Sequence, residues 1–270
     1  MNEITEIEDK KIFPIQPSNG QLCSEQCFRF IKRHADIFGF LFFSTQLAAK
    51  VDETRLVAAR ALAATGEEKY VQMLRDVEKD KQKQINKYRK YAQLQTENMC
   101  INLVDNFICF LSGTVQACMR KRPELLKSSE MIRLEDVLRL TNYRELVSFL
   151  VDKKINELIY GGFKEIETFL MDRSGLSLTT SDAERSLVII SIELRNIYTH
   201  NRGVVNDIFL KRTKGIQHKY NFKHGHVYCT NLDELSEFAN NMYVIAMRID
   251  QAVSKKFRVA RKKYNTWGKT

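Results

Sequence analysis

Glycine and proline are scarce in this sequence, with 11 and 3 residues among 270. Together they form about 5% of the chain, against roughly 12% in average proteins. A β-sandwich or β-barrel needs many glycine- and proline-rich turns, so this scarcity argues against both. A glycine-rich phosphate loop is also missing, because the only adjacent glycines, Gly161 and Gly162, lie inside a helical pattern. The composition favours an all-α fold.

Long hydrophobic runs are missing as well. The longest dense apolar run, at 37–43, is far shorter than the roughly 20 residues that cross a bilayer. The N-terminal residues are acidic and lack an apolar signal core. We therefore expect a cytoplasmic protein without a membrane partner, whose six cysteines are reduced thiols. Cys23, Cys27 and His34 lack a fourth ligand at zinc-finger spacing, so we set a zinc site aside.

Positive charge exceeds negative charge. The sequence has 43 Lys and Arg against 33 Asp and Glu, a formal net charge of +10. Such a surplus favours an anionic partner, which can be nucleic acid, a nucleotide or an acidic membrane face. Simple solubility explains the same surplus about equally well.

Helical periodicity divides the chain into a long hairpin and a bundle. Apolar residues at helical spacing predict one helix from Ser24 to Gly66 and a charged partner helix from Glu67 to about residue 98. Four denser helices follow, at 99–121, 142–172, 181–202 and 231–257, and predict an up-and-down four-helix bundle. The predicted organisation is an N-terminal arm at 1–23, a hairpin at 24–98, the bundle at 99–257 and a basic tail at 258–270.

Polar residues crowd the end of the third bundle helix. Arg195, Asn196 and His200 stand among apolar positions that face the core. Glu193, Asn196 and His200 share one stripe, whereas Arg195 lies roughly 140° around the helix from His200. Two copies across a two-fold axis would bring both residue types to one point.

This residue set suits RNA cleavage without a metal. His200 can move protons near neutral pH, and Arg195 offers a fork of donors for a phosphate. Asn196 can orient the imidazole or bind the phosphate or ribose. RNA brings its own nucleophile, the 2′-hydroxyl, and the sequence carries no metal-binding motif. We therefore expect no cofactor. Taken alone, the spacing favours ordinary packing and capping roles for these residues.

The motif resembles that of the HEPN superfamily, the higher eukaryote and prokaryote nucleotide-binding domains. Arg195, Asn196 and His200, followed by Asn201-Arg202-Gly203 in the third helix of an α-bundle, resemble its R-x4–6-H motif over roughly residues 99–257. The resemblance implies a homodimeric, metal-independent endoribonuclease with Arg195 and His200 as the catalytic pair. It also implies a toxin or antiviral defence role, with an antitoxin or a defence complex as partner. Other members are non-catalytic modules that bind RNA, nucleotides or proteins.

Two basic stretches fit an RNA partner. Residues 208–232 and 253–270 contain no Asp or Glu, and aromatic residues interleave with the charges of the second stretch. The candidate RNA-binding cations are Arg202, Lys211, Arg212, Lys255, Lys256, Arg258, Arg261, Lys262 and Lys263. A solvated tail explains the second stretch about equally well. His218, His224, His226 and Cys229 can be imagined as metal ligands, but a polar β-hairpin at 216–230 is the preferred interpretation.

Three functional hypotheses follow. The first is a cytoplasmic homodimeric ribonuclease that cuts RNA through a 2′,3′-cyclic phosphate. The second is a HEPN-like binding module, in which Arg195 and His200 support a dimer contact or bind a nucleotide. The third is a structural member of a larger defence complex, with the hairpin at 24–98 as its docking arm.

Overall fold

Helices dominate the protein. The computed structural model describes residues 12–127, 133–216 and 220–267, and two very short strands are the only sheet within those ranges. The all-α class expected from the scarcity of glycine and proline is confirmed. The HEPN-like arrangement of the bundle stays a prediction.

The first helix, α1 (Glu25–Ala63), follows the sequence prediction closely. The Ser24 side chain accepts a hydrogen bond from the backbone N–H of Cys27 and caps the helix N-terminus. Gly66, three residues past the helix end, has a φ of +81° that favours glycine. Sequence signals at both ends thus set the length of α1.

The next helical stretch differs from the prediction of one partner helix over 67–98. The structure has α2 (Glu68–Lys79), α3 (Lys83–Arg89) and α4 (Ala92–Lys121) instead. The buried Asp52 carboxylate on α1 accepts hydrogen bonds from two backbone N–H groups at the start of α3, at 3.0–3.1 Å. This carboxylate binds backbone N–H groups that would otherwise lack a partner at the start of α3. Because it comes from another helix, the sequence around the break does not predict it.

The predicted boundary between hairpin and bundle falls inside α4, which runs through residue 98 without a break. The first half of α1 also belongs to the main core. Phe30 and Ile31 of α1 and Phe107 and Leu111 of α4 are all buried in one continuous hydrophobic cluster. The second half of α1, with α2 and α3, stands outside this cluster as an arm.

The remaining helices follow α4. They are α5 (Leu134–Leu138), α6 (Tyr143–Gly161), α7 (Phe163–Ser174), α8 (Asp182–Asn201), α9 (Asp207–Thr213) and α10 (Leu232–Phe257). The predicted helix at 142–172 is divided at Gly162, whose φ of +80° ends α6. Asn142, Ser181 and Asn231 cap α6, α8 and α10, because each side chain accepts a hydrogen bond from the backbone N–H three residues later.

Helix α4 is the centre of the fold. It contacts α1, α6, α8 and α10, and its buried face is almost wholly apolar. Phe107, Leu111 and Val115 of α4 are fully buried, as are Leu194 of α8 and Ala246 of α10. Polar residues of the helices around α4 therefore meet along its sides. The groove between α4 and α8 lies on one of these sides.

The predicted basic tail is partly bound to the body. Strand β1 (Leu22–Cys23) pairs antiparallel with β2 (Lys262–Lys263). Arg261 binds the buried carboxylate of Asp250 at 3.1 Å, and Trp267 Nε1 donates to the Cys23 carbonyl at 3.1 Å. The part of the tail that the structure describes is therefore packed rather than free.

One helical stretch has the length and apolar composition of a membrane span. By length and composition alone, an apolar window within Glu68–Lys121 is long enough to cross a bilayer, and half of that window is buried inside the fold. Buried core helices of soluble proteins have the same length and apolar composition.

Candidate functional site

Helix α8 carries the predicted catalytic residues, and the core fixes its position. Its apolar face buries Val188, Leu194 and Ile197. At the far end the Tyr198 hydroxyl donates to the Tyr228 carbonyl at 3.1 Å and shares a hydrogen bond with Thr230. Burial raises the pKa of Tyr198, so it stays a neutral donor. The polar residues of α8 thus project from a firmly held helix.

Arg195 reaches across to α4. Its Nε donates to Asp105 Oδ1 at 2.9 Å, and both side chains are partly exposed, at 30% and 46%. Its Nη1 also donates to the Asn196 side-chain oxygen at 3.4 Å. The guanidinium therefore lies at the opening between α4 and α8 with one face still open to solvent.

A buried carboxylate joins Asn196 to a second arginine. Glu193 is only 8% exposed and accepts from Asn196 Nδ2 at 3.4 Å. Both Glu193 carboxylate oxygens also lie 3.3 Å from Arg212 Nη1 of α9. Arg195, Asn196 and Arg212 are consequently held side by side through Glu193 and Asp105.

These residues line a groove with a volume of about 590 Å³. Its walls come from α4, α8, α9 and the junction between α6 and α7, where Gly162 ends one helix. Further cations of its lining are Lys164 and Arg185, and Arg185 is paired with Glu167 at 3.0 Å. The groove thus offers four cations, of which three are held by carboxylates, and it suits an anionic ligand with polar edges.

His200 does not lie in this groove. It is exposed on the last turn of α8, whereas Glu193 is buried and Asn196 half-buried. The spacing predicted one polar stripe, but its residues lie in three places: Glu193 is buried, Asn196 lies in the groove and His200 lies on the surface. Within the described residues, no hydrogen bond or ion pair engages the His200 side chain. One copy of the chain does not bring His200 and Arg195 to one point, as the 140° separation predicted.

The loop after α8 lies beside its end. Arg202 and Gly203 take left-handed conformations, with φ of 51° and 78°. The chain then returns along itself, because Val204 forms an isolated antiparallel bridge with Val227. The predicted β-hairpin at 216–230 is therefore wrong for the described part of that segment, because residues 226–228 pair with 203–205 rather than with each other. A Cβ at Gly203 would lie 3.3 Å from the Tyr198 ring and from Val227, a tight contact at a positive φ that already favours glycine.

The histidines of this loop form no metal centre in the part that the structure describes. His224 lies 3.4 Å from Asp207, and no group of three or more metal-ligating side chains is found among the described residues. His218 lies outside them. The imagined zinc set of Cys23, Cys27 and His34 is buried in the core, where burial raises the pKa of Cys27 and favours the neutral thiol.

The predicted RNA-binding cations fall into two groups. Arg202, Lys211 and Arg212 lie at the end of α8 and on α9, and all three are exposed. The others belong to the end of α10 and the tail, namely Lys255, Lys256, Arg258, Arg261, Lys262 and Lys263. Among these, Arg261 is used by Asp250, and Lys262 lies 4.9 Å above the Trp267 ring. The structure brings only Arg212 into the groove with Arg195.

Asp105 is the site residue that the sequence interpretation missed. It is the only charged residue between Met99 and Met119, a stretch that otherwise reads as a buried helix. A lone carboxylate in such a stretch indicates a polar contact made by that face of the helix. Its partner, Arg195, lies 90 positions away and is not identified by any local pattern.

Comparison with known proteins gives no relative. No family model, no curated protein sequence and no solved structure matches this chain. The resemblance to HEPN proteins accordingly rests on the motif around Arg195 and His200 and on the helical context.

Proposed function

We propose that this protein is a metal-independent endoribonuclease of HEPN type that works as a homodimer. The observation that carries the proposal is the exposed, unengaged imidazole of His200, one helical turn beyond the cationic groove that holds Arg195 and Asn196. The groove supplies charge for a phosphate backbone, and the histidine supplies an imidazole that can accept and donate a proton.

The proposed reaction uses the RNA as its own nucleophile. The 2′-hydroxyl attacks the adjacent phosphorus while His200 removes its proton, the bond to the 5′-oxygen breaks, and a 2′,3′-cyclic phosphate remains. A solvent water molecule donates the proton to the leaving 5′-oxygen, so each composite site uses one histidine. Arg195 stabilises the negative charge that develops on the phosphate oxygens.

Two copies of the chain are needed in this proposal because Arg195 and His200 diverge on one helix. A two-fold contact through α8 would place the His200 of one copy near the groove of the other. The partners are thus RNA and a second copy, together with an antitoxin or a defence complex if the protein acts as a toxin or defence effector.

Incubation of the full-length protein with total RNA in EDTA tests the proposal. We expect cleavage to persist and to leave cyclic-phosphate or 3′-phosphate ends, since no step needs a metal. Strict dependence on Mg²⁺, or hydrolysis to 5′-phosphate ends, would contradict the mechanism. Mixing two inactive variants, His200→Ala and Arg195→Ala, then tests the shared site, because mixed dimers retain one composite site.

The second candidate is a non-catalytic binding module. The observation that favours it is that Arg195 and Arg212 are already paired with Asp105 and Glu193, as in ion pairs that only support a fold. In that case the protein binds RNA or a nucleotide with no cleavage in any condition, and His200→Ala changes neither binding nor stability.

A further inference from the structure

The second half of α1 presents an unpartnered apolar stripe. Phe40 is 73% exposed, Phe43 62%, Leu47 53%, Val51 46% and Leu62 38%. Thr54 and Ala58, between the last two, are exposed as well. Thr54 donates its hydroxyl to the Lys50 carbonyl at 2.9 Å, which leaves its methyl group for contact. Large apolar side chains rarely line one exposed face unless that face binds something.

The spacing of this stripe follows one straight line along the helix. The steps between neighbouring stripe residues are three, four and four, and this set of steps occurs twice. The positions are 40, 43, 47, 51, 54, 58 and 62. An 11-residue repeat has about 3.67 residues per turn, close to the period of a straight α-helix. The stripe therefore stays on one face over about 33 Å, which is the geometry of a helix-to-helix contact.

Side-chain size decreases along the stripe and selects an orientation for a second identical helix. Phe40 and Phe43 are at one end, and Thr54 and Ala58 are near the other. An antiparallel copy centred on Val51 sets Phe43 opposite Ala58 and gives an even distance between the helix axes. A parallel copy sets phenylalanine against phenylalanine and alanine against alanine, which forces the helices apart at one end and leaves voids at the other.

Charges beside the stripe favour the same orientation. Lys50 and Glu53 lie on one flank, both mostly exposed, and contact each other at 2.8 Å. In the antiparallel arrangement Lys50 of one copy faces Glu53 of the other, whereas in a parallel two-fold pair this flank meets the opposite flank of the partner and the two residues do not pair. The other flank is covered by α2, where Arg55 binds the Asp80 carbonyl.

We propose that the second half of α1 binds a second copy of this chain in antiparallel orientation, with Val51 of both copies at the two-fold axis. The occupant is a protein helix rather than a lipid surface, because a membrane-binding helix is flanked mainly by cations. Here the flank carries one cation and one anion, and Arg60 is drawn toward Glu78 at 3.8 Å. This contact is independent of the one proposed through α8.

Site-directed cross-linking tests both contact and orientation. The exposed Cys109 and Cys229 are first changed to Ser in the full-length chain. One new cysteine is then added to each variant, and a short bismaleimide is used as the cross-linker. We expect Val51→Cys to cross-link with itself, and Phe43→Cys to cross-link with Ala58→Cys in a mixture. Leu62→Cys alone should not react, because its two copies lie about 33 Å apart. Cross-linking of Leu62→Cys with itself, or none at Val51→Cys, overturns the proposal.

Association measured by sedimentation gives a second test. Leu47→Asp should weaken the association step that uses α1 at least ~30-fold, because it places a charge in the centre of that contact, and should leave a dimer formed through α8 intact. Phe42→Asp is the matched control, since Phe42 is 46% exposed on the same helix but points away from the stripe. Lys50→Glu should weaken association, and adding Glu53→Lys should restore it. Unchanged association in Leu47→Asp, or binding of α1 to anionic vesicles in place of self-association, contradicts the proposal.

Discussion

Arg195 of α8 and Asp105 of α4 form an ion pair at 2.9 Å that bridges the two helices at the edge of the groove. The arginine that the motif singles out therefore has an anionic partner before any ligand arrives. A phosphate that enters the groove competes with this carboxylate, and a partly exposed pair of this kind contributes up to about 1 kcal/mol. The pair both orients Arg195 and weakens its attraction for an anionic ligand.

Replacing the competing carboxylate should strengthen RNA binding. We expect Asp105→Asn to lower the Kd for single-stranded RNA about 2–5-fold at low salt, as measured by fluorescence anisotropy. The control is Asp76→Asn on α2, the same change in a surface pair outside the groove. Equal affinities of Asp105→Asn and the unchanged protein would show that the groove is not the RNA site.

The two motif residues should fail in different ways. His200→Ala should abolish cleavage and leave most RNA affinity intact, because His200 lies outside the groove and is proposed to move protons rather than to hold the phosphate. Arg195→Ala should reduce both, since a permanent guanidinium donates charge-assisted hydrogen bonds before and during the reaction. Thr199→Ala, next to His200 on the same exposed turn, is the control and should keep full activity. Unfolding of His200→Ala together with no cleavage by the unchanged protein would reject the enzyme hypothesis.

Removing the basic tail should damage the fold as well as RNA binding. The tail is bound to the body, because Arg261 contacts Asp250 and Trp267 contacts Cys23. Arg261→Ala leaves the buried Asp250 carboxylate without its cation and should cost about 2–4 kcal/mol in urea unfolding. Lys263→Ala, an exposed change two residues further on in β2, should cost less than about 0.5 kcal/mol. An equal loss in both variants would argue against the Arg261–Asp250 contact.

Glycine at 203 should be required for packing and not only for its backbone conformation. Gly203→Ala is expected to lower the free energy of unfolding by about 2–3 kcal/mol, from backbone strain plus contact with Tyr198 and Val227. Gly225→Ala has a similar positive φ but open space around the new Cβ, so it should cost only about 1 kcal/mol. Urea denaturation of both variants separates the two causes, and equal losses would show that strain alone matters.

Stability should fall in mild acid because of His34. Burial lowers the pKa of His34 to about 4, and its ring lies among Phe30, Phe38 and Tyr243. The unfolded chain, with a pKa near 6.5, binds the proton first, so lowering the pH from 7 to 5 favours unfolding by about 2 kcal/mol.

A matched pair of variants checks this pH dependence. His34→Phe should flatten the pH 5–7 slope of the unfolding free energy, and the exposed His226→Gln should keep it. Glu184, whose pKa the Arg248 guanidinium lowers to about 2, loses its contribution only below about pH 4.5. An unchanged slope in His34→Phe would assign the effect to another group.

Local sequence determined the helices and most of their ends. The apolar periodicity, the caps at Ser24, Asn142, Ser181 and Asn231, and the scarcity of glycine act within a few residues of one another, so one sequence suffices to read them. It also pointed to Arg195, Asn196 and His200 as a polar group on a core helix. Their proposed function rests on that motif and its resemblance.

Only the tertiary structure decided how these helices combine. Asp52 sets the break after α2, Asp105 orients Arg195, and Asp250 holds the tail. Each of these carboxylates is brought to its partner by the packing of helices and not by a local pattern. The same holds for the placement of Arg212 in the groove and of His200 outside it. Buried polar groups take whichever partner the packing brings near, because an unpaired one is costly, and packing is a property of the whole chain rather than of any local pattern.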